Sequence, residues 1–198
     1  MHKSLLVAFI VFVSLVCTAC VNRFAVQELN NNAKELLSQG KVDAAIARLE
    51  SSIDLDETIF ETHYNLAVAY IEAKKYDKAL ASLEKVKELK PDFAEAYHSM
   101  GVCNEEKAYE IINGAENENK QLSNEEEPAT EEQKQLSTED KIKITEYLTN
   151  AIDSYNTYLT KKENADDKEK VEQKIEELNK KVKEYSESKD TAENNKNE

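Results

Sequence analysis

The chain has 198 residues, with 40 Asp and Glu against 26 Lys and Arg and a formal net charge of −14. Nothing concentrates positive charge to displace counterions from a phosphate backbone, so nucleic acid is a poor partner. Three Gly and two Pro are too few for a turn-rich β protein and favour long helices.

The chain opens on a short segment carrying Lys3, then an apolar run over residues 5–16 broken only by Ser14, then Cys17-Thr18-Ala19 before Cys20. The run is short for a bilayer core of about 30 Å, and it reads as a secretory signal over residues 1–19. Extended to Val21, it leaves an uncleaved anchor as the alternative. Cys17-Thr18-Ala19-Cys20 resembles the lipobox of bacterial lipoproteins, with Cys17 where that family usually has Leu. The resemblance implies a diacylglycerol thioether on Cys20 and an envelope location, in the outer membrane if the organism has one. A general signal peptidase also accepts the 19–20 bond, which would give a secreted soluble protein. With 1–19 removed, Cys20 and Cys103 are the only cysteines, and acylation of Cys20 rules out an intramolecular disulfide. Residues 20–25 are then a tether of at most about 18 Å, holding the helical part of the chain against the membrane.

From Val26 the apolar residues step by three and four, as in amphipathic helices. The clearest stretch is 60–93, with His63-x-x-Leu66-Ala67-x-x-Tyr70, then Ala79-x-x-x-Leu83, then Pro91. Its spacing matches the 34-residue tetratricopeptide pattern, Trp-x-x-Leu-Gly-x-x-Tyr, Ala-x-x-x-Phe, Pro, and the stretch resembles that family slot for slot. Lys74 to Asp77 fits the turn between two helices, and Pro91 stops the second helix. Residues 26–59 hold the same register, with Leu29, Ala33, Leu36, Ala45, Leu49 and Ser52 in the slots and Gly40-Lys41 at the turn. Asn32 and Glu57 depart from it. A third repeat starts at Ala94 with Tyr97, Met100 and Gly101 in place. Such hairpins bury their apolar faces only by stacking. The fold class expected is all-α, a short α-solenoid of three tetratricopeptide hairpins with a C-terminal capping helix.

Regular spacing puts the second-helix Ala of the third repeat at position 113, but it is found at Ala151, followed by Tyr155 and Tyr158. The third repeat, 94–164, therefore carries an insertion. Residues 105–112 continue its first helix, and 140–149 extend its second backwards behind an N-cap at Ser137 or Thr138. Between Ala115 and Asp140 nine acidic residues meet two basic ones, and a disordered acidic loop is expected at about 114–136. Val171, Ile175, Leu178, Val182 and Tyr185 form a stripe on a last helix over 165–185. Two heptads are short for a coiled coil, so this is read as a cap and a monomer is favoured over a dimer. Residues 186–198 are expected to be a disordered tail.

No catalytic residue, cofactor or metal site is nominated. The three glycines are scattered singly, so no phosphate loop is available. No His, Cys and carboxylate share a metal-ligand spacing, and no nucleophile has a nearby base in sequence. Cys103 falls on a buried small-residue slot and His63 on the Trp slot, both as packing residues. The tetratricopeptide resemblance implies a concave groove lined by repeat positions 2, 5, 9, 12 and 13. Its candidates are Asn30 and Lys34 in the first repeat, Tyr64, Val68 and Ile71 in the second, and His98 and Val102 in the third. Gln27, Glu61, Glu72, Glu95, Glu105 and Glu106 stand at its margins. One lysine against five glutamates does not support the lysine-rich carboxylate clamp of some chaperone-binding members. The expectation is a non-catalytic adaptor for a protein or peptide in the bacterial envelope, held by Cys20, with a self-associating spacer as the alternative.

Overall fold

The periodic stretches fold as helices in the computed structural model, which describes residues 23–122 and 136–194. Seven α-helices and no strand occur among the described residues: α1 over 23–38, then α2 (Val42–Leu55), α3 (Phe60–Glu72), α4 (Tyr76–Leu89), α5 (Ala94–Leu122), α6 (Thr138–Lys161) and α7 (Lys168–Asn194). They form two compact units that divide after Pro91.

The first unit holds α1 to α4. Ala33, Ala45, Leu49, Leu66, Ala67, Ala79, Leu83 and Val86 are buried at their three- and four-residue steps, and this apolar burial holds the hairpins together. The two hairpin turns are built alike. Gly40 has φ 70° and Lys74, 34 positions later, has φ 56°. In each, the next residue donates its N–H five positions back, Lys41 to Leu36 O at 2.9 Å and Lys75 to Tyr70 O at 2.8 Å. That is the hydrogen-bond pattern of a Schellman cap, which needs a left-handed residue. Glycine takes it freely, whereas Lys74 takes it against its Cβ. The repeat spacing places this second turn at Lys74 to Asp77, but the cap closes it at Lys75. Tyr76 therefore already belongs to α4 and is buried.

The second unit holds α5, α6 and α7. Ala108, Ile144, Leu148, Ala151, Tyr155, Val171 and Leu178 form its core, with Ile175, Val182 and Tyr185 packed against them. The apolar stripe of α7 is thus consumed inside its own chain. Ser137 caps α6 by accepting the Asp140 N–H at 3.1 Å. Two expectations are corrected. Helix α5 continues to Leu122, so residues 114–122 of the expected acidic loop are helical, and 123–135 lie outside the described residues. Helix α7 runs to Asn194, through most of the expected disordered tail, leaving 195–198 outside the described residues. Both errors have one cause. A scarcity of apolar residues argues against a core, but Glu, Lys, Gln and Ala propagate a helix already nucleated by packing. On α7 the pairs Lys180–Glu176 at 2.9 Å and Lys183–Glu187 at 3.7 Å add the usual four-residue support.

Candidate functional site

Residues 23, 27, 30 and 34 step by four, three and four, so Arg23, Gln27, Asn30 and Lys34 share one face of α1. That face forms one wall of a cleft of about 600 Å³, whose other wall is Glu61 and Asn65 of α3. The α2–α3 connection closes one end with Asp56, Thr58 and Ile59. The cleft is mainly polar, with two cations and two carboxylates on its walls. Thr58 donates its hydroxyl at 2.6 Å and its N–H at 2.9 Å to Asp56 Oδ1. These bonds hold the Asp56 carboxyl below its usual range, with a smaller contribution from Arg23, so it is ionised at neutral pH. Among the described residues, neither Arg23 nor Lys34 is engaged in an ion pair, which leaves both charges available to a ligand.

The floor is a buried polar cluster. Asn30 Nδ2 lies 2.9 Å from Val26 O, 3.0 Å from Ser52 Oγ and 2.9 Å from Thr62 Oγ1. Asn65 Nδ2 donates to Asn30 Oδ1 at 2.9 Å. One carboxamide therefore joins α1, α2 and α3. Asn30, expected as a groove contact, does line the cleft, but it is buried and its hydrogen-bonding capacity is spent on its own chain. Asn65, half-buried and facing the same cleft, is the carboxamide better placed to meet a ligand, and repeat slots alone do not select it. Its four-residue offset from Glu61 is the available signal.

The remaining candidates divide between the units. Tyr64, Val68 and Ile71, expected as groove contacts, are half-buried on α3 and do not line this cleft. In the second unit, Val102 packs on the α5–α6 core. His98 is set edge-on to Tyr155 and Tyr158, with ring centroids 5.5 and 5.1 Å away. An aromatic contact of this kind orients the ring, which stays half-buried. Glu105, expected at the groove margin, is buried. It accepts from Tyr155 OH at 3.1 Å and Lys174 Nζ at 3.0 Å, and so ties α5, α6 and α7 together. Lys34 stays exposed. Cys20 lies outside the described residues.

His63 is buried, with Nε2 2.8 Å from Glu57 O, a packing arrangement. Cys103 is fully buried, and burial, then Glu106, pushes its thiol from 9.0 up to about 12. A nucleophile needs the opposite shift. Burial also pushes Tyr70 and Tyr109 up to about 12, with Glu50 and Glu105 respectively adding to it. All three groups hold their proton more tightly folded than unfolded. Their contribution to stability is therefore complete below about pH 9 and falls as pH rises towards 12. The urea midpoint should drop progressively above pH 9, and Cys103 should resist iodoacetamide at pH 8 until the chain is unfolded. Among the described residues no group of three His, Cys, Asp or Glu could hold a metal ion, and no helix is long and apolar enough to cross a membrane.

A tetratricopeptide repeat family profile matches residues 36–101. Over 71 residues the chain is 30% identical to the tetratricopeptide repeat and J domain-containing co-chaperone DNJ1 of Cryptococcus neoformans, covering 36% of this chain and 14% of that protein. The chain thus spans about a seventh of that relative. Among solved structures it is similar to the first tetratricopeptide domain of human RPAP3, with TM-score 0.55 and 16% identity over 82% of this chain and 96% of that one. The Arabidopsis OM64 tetratricopeptide domain gives TM-score 0.54 and 12% identity over 78% and 96%. The first such domain of Spaghetti (RPAP3), solved with the HSP90 peptide SRMEEVD, gives 0.53 and 16% over 78% and 90%. At these identities the likeness is one of fold. The fold is all-α, built of tetratricopeptide helix hairpins followed by a terminal helix.

Proposed function

We propose that this protein is a non-catalytic adaptor that holds a segment of another protein in the α1–α3 cleft, and that Cys20 anchors it by a lipid to the bacterial cell envelope. The cleft carries the reading. It lies between the first helices of two successive hairpins, and it combines free charges of both signs with a carboxamide. Arg23 and Lys34 suit carboxylates on the ligand, Glu61 and Asp56 suit a base, and Asn65 suits a backbone amide. A self-associating spacer would need the α7 stripe, which here is packed on α5 and α6, so the adaptor is favoured and the chain is read as a monomer.

The test is crosslinking in the native host followed by mass spectrometry, on the natural chain and on Lys34→Glu with Asn65→Ala. The double variant should lose the crosslinked partner, with affinity down about 10- to 100-fold if both contacts are made. Unchanged capture would refute the cleft as the binding site. Anchoring is tested separately. Intact mass of membrane-extracted protein should show acyl mass on Cys20, and Cys20→Ser should release the protein from the membrane.

A further inference from the structure

We propose that the first turn of α1 rests on the lipid bilayer, with the Phe24 ring seated at the boundary between headgroups and acyl chains. This rests on the membrane anchoring proposed above. Phe24 is 74% exposed, the most exposed large apolar residue among those described. The helix face it begins continues, at four- and three-residue steps, through Glu28, Asn31 and Glu35, all exposed. That face is therefore acidic and solvated along its length and apolar only at its first turn. An apolar group standing at one end of a charged face suits a surface that meets that end alone.

Chain connectivity identifies the surface. Only three residues separate Cys20 from Phe24, a span of at most about 14 Å. A thioether lipid on Cys20 brings that turn within the same distance of the hydrocarbon, as does a retained apolar run that extends to Val21. No second copy or peptide partner is constrained to lie there. Arg23, exposed beside Phe24, supplies a cation for lipid phosphates, while Glu28 and Glu35 stay on the water side. Because Arg23 also lines the cleft, the Arg23 end of the cleft would open at headgroup level.

The chain has no tryptophan, so Phe24→Trp introduces a single fluorophore at this position. The control is Gln39→Trp, an exposed site just past the other end of α1, about 22 Å away along the axis. The lipidated full-length chain is reconstituted with vesicles of phosphatidylethanolamine and phosphatidylglycerol containing brominated acyl chains. Phe24→Trp should emit to the blue and lose at least about half its intensity to bromine, while Gln39→Trp should emit as in water and be unaffected. Protein that floats with the vesicles while Phe24→Trp is as unquenched as the control overturns the inference and leaves the anchor standing. A blue shift without quenching means that protein covers the ring, and it also overturns the inference. Failure to float removes the anchor and the inference together.

Discussion

Replacing Gly101 by valine is expected to destabilise the second unit by about 3 kcal/mol, because overpacking a tight helix contact costs this much when the backbone cannot shift. A Cβ at Gly101 would lie 2.6 to 2.8 Å from three atoms of the Tyr155 ring. The ring cannot swing aside without cost, since its hydroxyl donates to buried Glu105 at 3.1 Å. Alanine at 101 is the sharper case. It is a better helix former than glycine by about 1 kcal/mol, so propensity alone predicts stabilisation. The contact predicts the opposite sign, a net loss of about 1–2 kcal/mol. The equivalent slots explain the glycine. Ala33 and Ala67 hold this position in the first two repeats, where Leu49 and Leu83 occupy the slot that Tyr155 fills in the third. A larger ring on one helix is matched by a smaller residue on the other. Tyr155→Leu should therefore rescue part of Gly101→Ala, giving a double variant less damaged than the sum of the single ones. Amide hydrogen exchange across α5 and α6 reads this, and additive losses would mean that the two positions do not share the contact.

Asn30→Ala is the second large effect, at about 2–4 kcal/mol in the first unit, since a buried group left without its partner costs about 1–3 kcal/mol. The carboxamide is 6% exposed, and its loss strands the Ser52 and Thr62 hydroxyls, both fully buried. Asn65, only half-buried, recovers its lost bond from water. The cost arises from stranded partners rather than from Asn30 itself, so removing those partners together should relieve it. Asn30→Leu combined with Ser52→Ala and Thr62→Val is expected to unfold within about 1 kcal/mol of the natural chain. Urea unfolding of the single and triple variants decides this. A triple variant no more stable than Asn30→Ala would show that the cluster specifies the packing rather than merely satisfying itself.

Much of the fold was legible because a tetratricopeptide hairpin repeats one set of side-chain sizes at one spacing. Leu66, Ala67, Tyr70, Ala79, Leu83 and Val86 could be placed in the core of their hairpin, and Ser137 at the start of α6, from residue type and interval alone. Cys103 and His63 could be set aside as packing residues on the same grounds. The candidate site was legible only as a direction. Repeat position says which way a residue leaves its own helix, and this was enough to bring Gln27, Asn30, Lys34 and Glu61 to one cleft. It does not say what a neighbouring helix supplies when the residue arrives. Asn30 meets two buried hydroxyls and Glu105 meets Tyr155 and Lys174, so each is spent on structure.

By itself, then, the sequence determined the helical periods, the repeat register, the glycine at the first hairpin turn and the acidity that disfavours nucleic acid. Each is a property of residues close in the chain or of their sum. Tertiary structure alone decided which polar residues remain free in the cleft and why the third repeat requires glycine at 101. These depend on partners brought together from 22 to 69 positions apart, such as Asn30 with Ser52 and Glu105 with Lys174. A hydrogen bond or a steric contact exists only once both groups have arrived.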